Sequence, residues 1–153
     1  VKEAHLRFRF HIVGQQFRHI PEAFEAIDRH LNEISANFDM PRGNFGYIED
    51  ADQYQTLLAS CHVALSTAKH DFQGLSVQQA CLAGCQAAVP DALVYPEYVP
   101  PQLRYQTHKD CRQTAAAAVS LLRHIRRKLE DGAWSKIDLC IFGIMTCFDL
   151  KMF

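Results

Sequence analysis

Apolar and polar residues alternate one for one near the start of the chain, where Leu6, Phe8, Phe10 and Ile12 are interleaved with Arg7, Arg9 and His11 before Val13 and Gly14. A period of two predicts a strand with a polar side, ending in a glycine loop. The period then lengthens. Pro21 suits the first turn of a helix, where its missing N–H costs nothing, and Phe24, Ile27, Leu31, Ile34 and Phe38 follow at steps of three and four. A stripe of that kind needs a flat surface to pack on.

The same exchange of periods recurs. Asn44 to Ile48 reads as a short strand, and Asp50 is placed to cap a helix whose buried face holds Tyr54, Leu57, Leu58 and Cys61. His62 to Ser66 gives another strand. A helix from about Leu75 to Ala83 turns Val77, Ala80 and Cys81 inward, and Gly84 supplies a left-handed cap before a strand over Gln86 to Val89. Tyr95-Pro96 and Pro100-Pro101 break regular structure, and a long helix runs from Asp110 to Glu130 with Leu122, Ile125 and Leu129 inside. Strands alternating with helices through short loops predict the α/β class, a Rossmann-like parallel sheet flanked by helices on both faces.

The last segment does not follow this rhythm. Leu139 to Phe148 is almost wholly apolar, but ten residues are too few for a bilayer that needs about twenty. The expectation is one domain over residues 1–135 and an apolar tail over 136–153 that packs as a buried helix, without membrane contact. A length of 153 residues with 48% hydrophobic content suits a single domain with a real core.

Charge narrows the functional classes. A formal net charge of −1 gives no global attraction to nucleic acid or anionic lipid, so such contact would need a local patch. Arg123, His124, Arg126, Arg127 and Lys128 form one, and could meet RNA phosphates. The simpler reading is a solvated basic end of a helix, where cations favour the dipole. The residues Val-Lys-Glu-Ala-His at the start carry no apolar signal stretch, and a cytoplasmic location is expected. Six cysteines, at 61, 81, 85, 111, 140 and 147, include no C-x-x-C pair, and no histidine pair has zinc spacing. Reduced thiols acting as small buried hydrophobes account for them, and no metal is expected.

Candidate chemistry concentrates between positions 66 and 96. An apolar strand runs into a polar loop holding Lys69, His70 and Asp71, and Gly74 then opens a helix. The first N–H groups of a helix lack internal partners and carry partial positive charge, so the amides of Gly74, Leu75 and Ser76 can face an anion. Asp71 can accept from sugar hydroxyls; it can equally cap the helix behind it. Ligands of open parallel sheets bind beyond the carboxyl ends of the strands, where the loops holding Gly14, Tyr47 and Asp71 would gather. Gln79, one turn further on, fits a ribose contact or an ordinary exposed position.

The residues Asp71, Gly74, Leu75 and Gln79-Ala80, with Gly84 closing the turn, resemble the pattern of retaining glycosyltransferases with a GT-B fold, which place two glutamates with seven residues between them around a Phe-Gly-type turn. Longer runs sharpen the likeness. Asn44-Phe45-Gly46-Tyr47, the stretch from Leu65 to Gly74, and Leu93-Val94-Tyr95-Pro96-Glu97 are similar to the subgroup that mannosylates queuosine in tRNA, over roughly residues 8 to 105, with a weaker echo at Trp134-Ser135. The resemblance implies the C-terminal, donor-binding half of the fold. It further implies GDP-mannose or a related sugar nucleotide as donor, tRNA as acceptor, no cofactor besides the donor, and transfer with retention. In the front-face route it implies, the leaving phosphate helps to deprotonate the acceptor. The first acidic position, here Asp71, would meet the transferred sugar, and the second, here Gln79, the ribose. The loop at Tyr47 and Ile48 would meet the base, Gly14 and the amides of Gly74, Leu75 and Ser76 the phosphates, and Lys69 and His70 phosphate or sugar.

Departures from the pattern carry expectations of their own. Asp71 is one methylene shorter than glutamate and Gln79 is uncharged, and losing a charge-assisted hydrogen bond costs on the order of 1–2 kcal/mol of donor affinity. An acceptor-binding domain and the basic segment that grips the diphosphate would precede residue 1 in this family, so the chain is expected to be inactive alone. Two rival readings stand beside this one. The first is a related transferase with another donor or acceptor; the second is a non-catalytic nucleotide-sugar-binding or interaction domain.

Overall fold

A computed structural model describes residues 8–14, 22–131 and 139–145. Six parallel strands form one sheet, in the order β2-β1-β6-β3-β4-β5. They are β1 (Phe8–Gly14), β2 (Phe45–Gly46), β3 (Val63–Leu65), β4 (Gln86–Pro90), β5 (Arg104–Tyr105) and β6 (Leu139–Met145). The helices are α1 (Glu22–Phe38), α2 (Ala51–Ser60), α3 (Leu75–Leu82) and α4 (Cys111–Asp131). This is a Rossmann-like α/β arrangement, as the alternation of periods predicts.

Alternate residues of each strand supply the two faces. On one face Val13, Ala64, Ala87, Val89 and Phe142 pack with Leu57 and Leu58 of α2 and Val77 and Ala80 of α3. On the other, Val63, Leu65, Ala88 and Ile141 meet Ala118, Leu122 and Ile125 of α4, while Ile12 meets Phe24 and Ile27 of α1. The chain ends its helices where expected. Asp50 accepts from the Gln53 amide at 2.8 Å and caps α2. After α3, the Gly84 amide donates to Cys81 and the Cys85 amide to Ala80, the paired bonds of a Schellman turn, with Gly84 at φ +105°.

Three expectations need correction. The apolar run of the tail is a strand over Leu139–Met145, not a helix, and it lies inside the sheet between β1 and β3. A short continuous apolar run reads equally as a buried helix or as a parallel strand covered on both faces, and here the second holds, with Ile141 and Phe142 buried on opposite sides. Gly143 leaves room for the Phe10 ring, which a Cβ there would meet at 2.8 Å. His11 is 4% exposed, in keeping with the expected cover on both faces of the sheet. Cys81 is exposed, not inward: only Val77 and Ala80 of α3 reach the sheet, and Cys81 borders an open groove towards Tyr98 and Leu103. Phe38, at the end of the α1 stripe, is 53% exposed. The expectations for Leu6, Arg7, Pro21, Trp134-Ser135, Cys147 and Phe148 lie outside the described residues.

Candidate functional site

Because all six strands are parallel, their carboxyl ends share one rim. Gly14 ends β1, Tyr47 and Ile48 follow β2, and the loop from Ser66 to Gly74 follows β3. Connections leave β1 towards β2 on one side and β3 towards β4 and β5 on the other, so the order reverses between β1 and β3. Ligand crevices form at such reversals. β6 occupies that gap, with Met145 in register with Gly14, and so sets the Gly14 and Asp71 loops two strand spacings apart, roughly 10 Å.

The β3 loop is built around Asp71. Its Oδ1 accepts the Gly74 amide at 2.6 Å and the Gln73 amide at 3.2 Å, an Asx turn that delivers the chain into α3. Its Oδ2 accepts the Tyr95 hydroxyl at 2.8 Å. Tyr95 is fully buried and its oxygen lies 2.7 Å from Ser66 Oγ, which in turn accepts the Ala68 amide at 3.3 Å. The single proton of Tyr95 goes to the carboxylate, so the Ser66 hydroxyl donates to Tyr95. Tyr105 donates to the Ser66 carbonyl at 2.7 Å and fixes the start of the loop from behind. Burial, and next to it the Asp71 charge, hold the Tyr95 phenol protonated well above the ordinary tyrosine range; burial does the same for Tyr105.

Gly74 has φ +65° and ψ 32°, a left-handed conformation at the cap of α3 that favours glycine. A Cβ at this position would also overlap the Tyr98 hydroxyl, which lies 3.5 Å from the Gly74 carbonyl. Burial and the charge of Asp71 push Tyr98 up to about 12. No side chain caps α3, so its opening amides at Leu75 and Ser76 stand at the rim. Leu75 is 59% exposed, Ser76 half-buried and Gln79 exposed, on the solvent side of the same helix. Lys69 and His70 are exposed on the loop, and Lys69 also borders a cavity of about 310 Å³ on the α4 side, with Thr67, Leu93, His108, Lys109 and Thr114.

Chain topology thus brings Asp71, Gly74, Leu75, Ser76, Lys69 and His70 into one loop and helix start, with Gln79 a turn behind. Gly14, Tyr47 and Ile48 stand at the same rim across β6. Tyr47 is 55% exposed, whereas the Ile48 side chain packs on the core below α2. Arg123, His124, Arg126, Arg127 and Lys128 lie at the far end of α4. That helix starts at the rim and runs 21 residues back along the sheet, so at 1.5 Å per residue its basic end stands about 20 Å away. Sequence reasoning missed Ser66, Tyr95 and Tyr98 as parts of the site. Tyrosines three apart in an otherwise apolar, proline-broken stretch were the available signal.

Among the described residues, no group of three or more His, Cys, Asp or Glu side chains could hold a metal. No described helix is long and apolar enough to cross a membrane. Cys81 and Cys111 are free thiols, and the Cys85 thiol donates towards the Leu58 and Cys61 carbonyls at 3.4 and 3.3 Å.

The chain is similar to a protein of Drosophila melanogaster named tRNA-queuosine alpha-mannosyltransferase, with 34% identity over 105 residues. The matched stretch is 69% of this chain and 26% of that protein, so the chain spans about a quarter of its relative. No protein-family model matches the chain. No solved structure matches it.

Proposed function

We propose that this chain is the donor-binding half of a retaining GT-B glycosyltransferase of the cytoplasm that transfers mannose from GDP-mannose to queuosine in tRNA. The likeness to the Drosophila mannosyltransferase carries this reading. The rim supports it: a carboxylate and a row of helix-start amides lie on one loop beside the reversal of strand order. Asp71 takes a hydroxyl of the transferred mannose and Gln79 a ribose hydroxyl. The Gly74 amide is taken by Asp71 Oδ1, so the amides of Leu75 and Ser76, with Gly14, face the diphosphate; Lys69 and His70 add donors beside it, and Tyr47 and Ile48 meet the base. The protein's contribution to chemistry is then positioning and the stabilisation of a departing diphosphate by fixed dipoles. With an acceptor domain supplied by further chain, these 153 residues alone bind donor and transfer nothing.

A second reading draws on a specific observation. Asp71 is engaged by two amides and a phenol, as a purely structural cap would be, and Gln79 is neutral. This favours an interaction domain that keeps the fold of a transferase. Calorimetric titration of the chain with GDP, UDP and GDP-mannose separates the possibilities. The proposal expects GDP to bind and mannose to add affinity. Preference for UDP would point to a different donor, and heat-silent titrations with all three to the interaction domain.

A further inference from the structure

A carboxylate offers about four acceptor positions, two on each oxygen. In Asp71 both positions of Oδ1 are filled, by the Gly74 and Gln73 amides, and one of Oδ2 is filled by Tyr95. One position remains. Tyr95 cannot easily yield, because it is fully buried, protonated, and held by Ser66, whose own oxygen is held by the Ala68 amide. The Ala68, Ser66, Tyr95 and Asp71 groups therefore form a one-directional relay of donors that starts on the rim end of β3 and ends on the carboxylate.

We infer that Tyr95 is the positioning residue of the sugar site. Through Ser66 it fixes the Asp71 carboxylate so that a single lone pair of Oδ2 faces the ligand, which limits recognition to one sugar hydroxyl and excludes two-oxygen chelation of a vicinal diol. The inference rests on the reading of Asp71 as a sugar ligand and adds to it the residue that aims it. Tyr95 touches no substrate; it acts by holding the carboxylate and, through Oδ1, the left-handed entry to α3 at Gly74.

Tyr95→Phe and Ser66→Ala in the full chain test this, with Tyr105→Phe as the control that loses a buried phenol bond to the Ser66 carbonyl and leaves the side-chain relay from Ser66 through Tyr95 to Asp71 in place. The first readout needs no ligand: hydrogen exchange at the Gly74 amide, which donates to Asp71. Tyr95→Phe is expected to speed it by about fivefold, the equivalent of one hydrogen bond, and Ser66→Ala by less. Tyr105→Phe should lower the melting temperature and leave Gly74 exchange unchanged. Unchanged exchange in Tyr95→Phe, or equal acceleration in Tyr105→Phe, overturns the positioning role. Should Tyr95→Phe not fold, Ser66→Ala decides by the same criterion.

The second readout is the ratio of GDP-mannose to GDP affinity. It should fall about fivefold in Tyr95→Phe at constant GDP affinity. A ratio that holds while Gly74 exchange accelerates overturns the sugar-directed part of the inference. If the wild-type chain binds GDP without any gain from mannose, that part fails as well. If it binds neither nucleotide, the donor reading of the whole domain fails, and the exchange experiment still decides whether Tyr95 positions Asp71.

Discussion

Each half of the sheet uses a buried polar residue to tie down a neighbouring segment, and the two ties differ in completeness. In the β3 half, Ser66 is fully buried and every polar atom of the relay to Asp71 has a partner, the neighbouring Thr67 Oγ1 outside the relay being buried without one among the described residues. In the β1 half, His11 accepts the Asn44 amide on Nδ1 at 2.9 Å and so holds the approach to β2, but its Nε2 is buried without a partner among the described residues. A satisfied network fixes one geometry, whereas a half-satisfied one offsets its own gain with the cost of the orphaned group. The contrast explains why the Asp71 loop can act as a rigid part of a site while the Tyr47 loop rests on a weaker anchor. It also makes the two halves separable by mutation.

The largest effect is expected where the weaker half has no slack. A Cβ on Gly43 would overlap the Phe10 carbonyl, which is backbone of β1 and cannot swing aside. Gly43→Ala should therefore push residues 43–46 off β1, break the bonds of Asn44 to His11 and Ile12, and cost about 3 kcal/mol in urea denaturation. A loss below 1 kcal/mol would mean that this edge adjusts freely. Next comes Tyr95→Phe, which strands the Ser66 hydroxyl and one Asp71 position, at about 2 kcal/mol by the same measurement. His11→Leu should cost less than about 1 kcal/mol, since it removes an orphan together with a bond and the amide it releases belongs to Asn44, an exposed residue that water can reach. A His11→Leu penalty equal to that of Tyr95→Phe would break the comparison.

Alkaline titration separates the halves more gently. Tyr95, Tyr98 and Tyr105 all belong to the β3–β5 half, and their folded-state pKa values are raised above the ordinary 10. The unfolded chain then loses its phenol protons first, so stability is intact below about pH 10 and declines as pH rises beyond it. Thermal melts from pH 8 to 11 should show this decline, and Tyr95→Phe should make it shallower. A melting temperature that rises with pH over this range would contradict the assignment of those phenols as buried donors.

Much of this architecture was legible in the chain because local signals and global fold agree. Asp50 and Gly84 announce helix ends through chemistry that depends only on neighbours, and both cap as expected. The stripe Leu122, Ile125 and Leu129 marks the packed side of α4 without reference to its partner strands. β6 was not legible in that way. Whether Leu139–Met145 is helix or strand depends on the gap between β1 and β3, which nothing within the run itself encodes. In the candidate site, Asp71 and Gly74 stood out by residue type, whereas Tyr95 lies 24 positions beyond Asp71 and its hydroxyl acquires a role only once the β3 and β4 ends are neighbours.

The proposed function requires the β3 loop and the opening amides of α3 to form a sugar-nucleotide site. Amide chemical-shift mapping of the isotope-labelled chain during addition of GDP tests it most directly. The account predicts concentration-dependent shifts that are largest at Gly74, Leu75 and Ser76, with smaller ones at Gly14 and Tyr47 across β6. Shifts confined to the cavity at Thr67, His108 and Thr114, or none up to millimolar nucleotide, would contradict it.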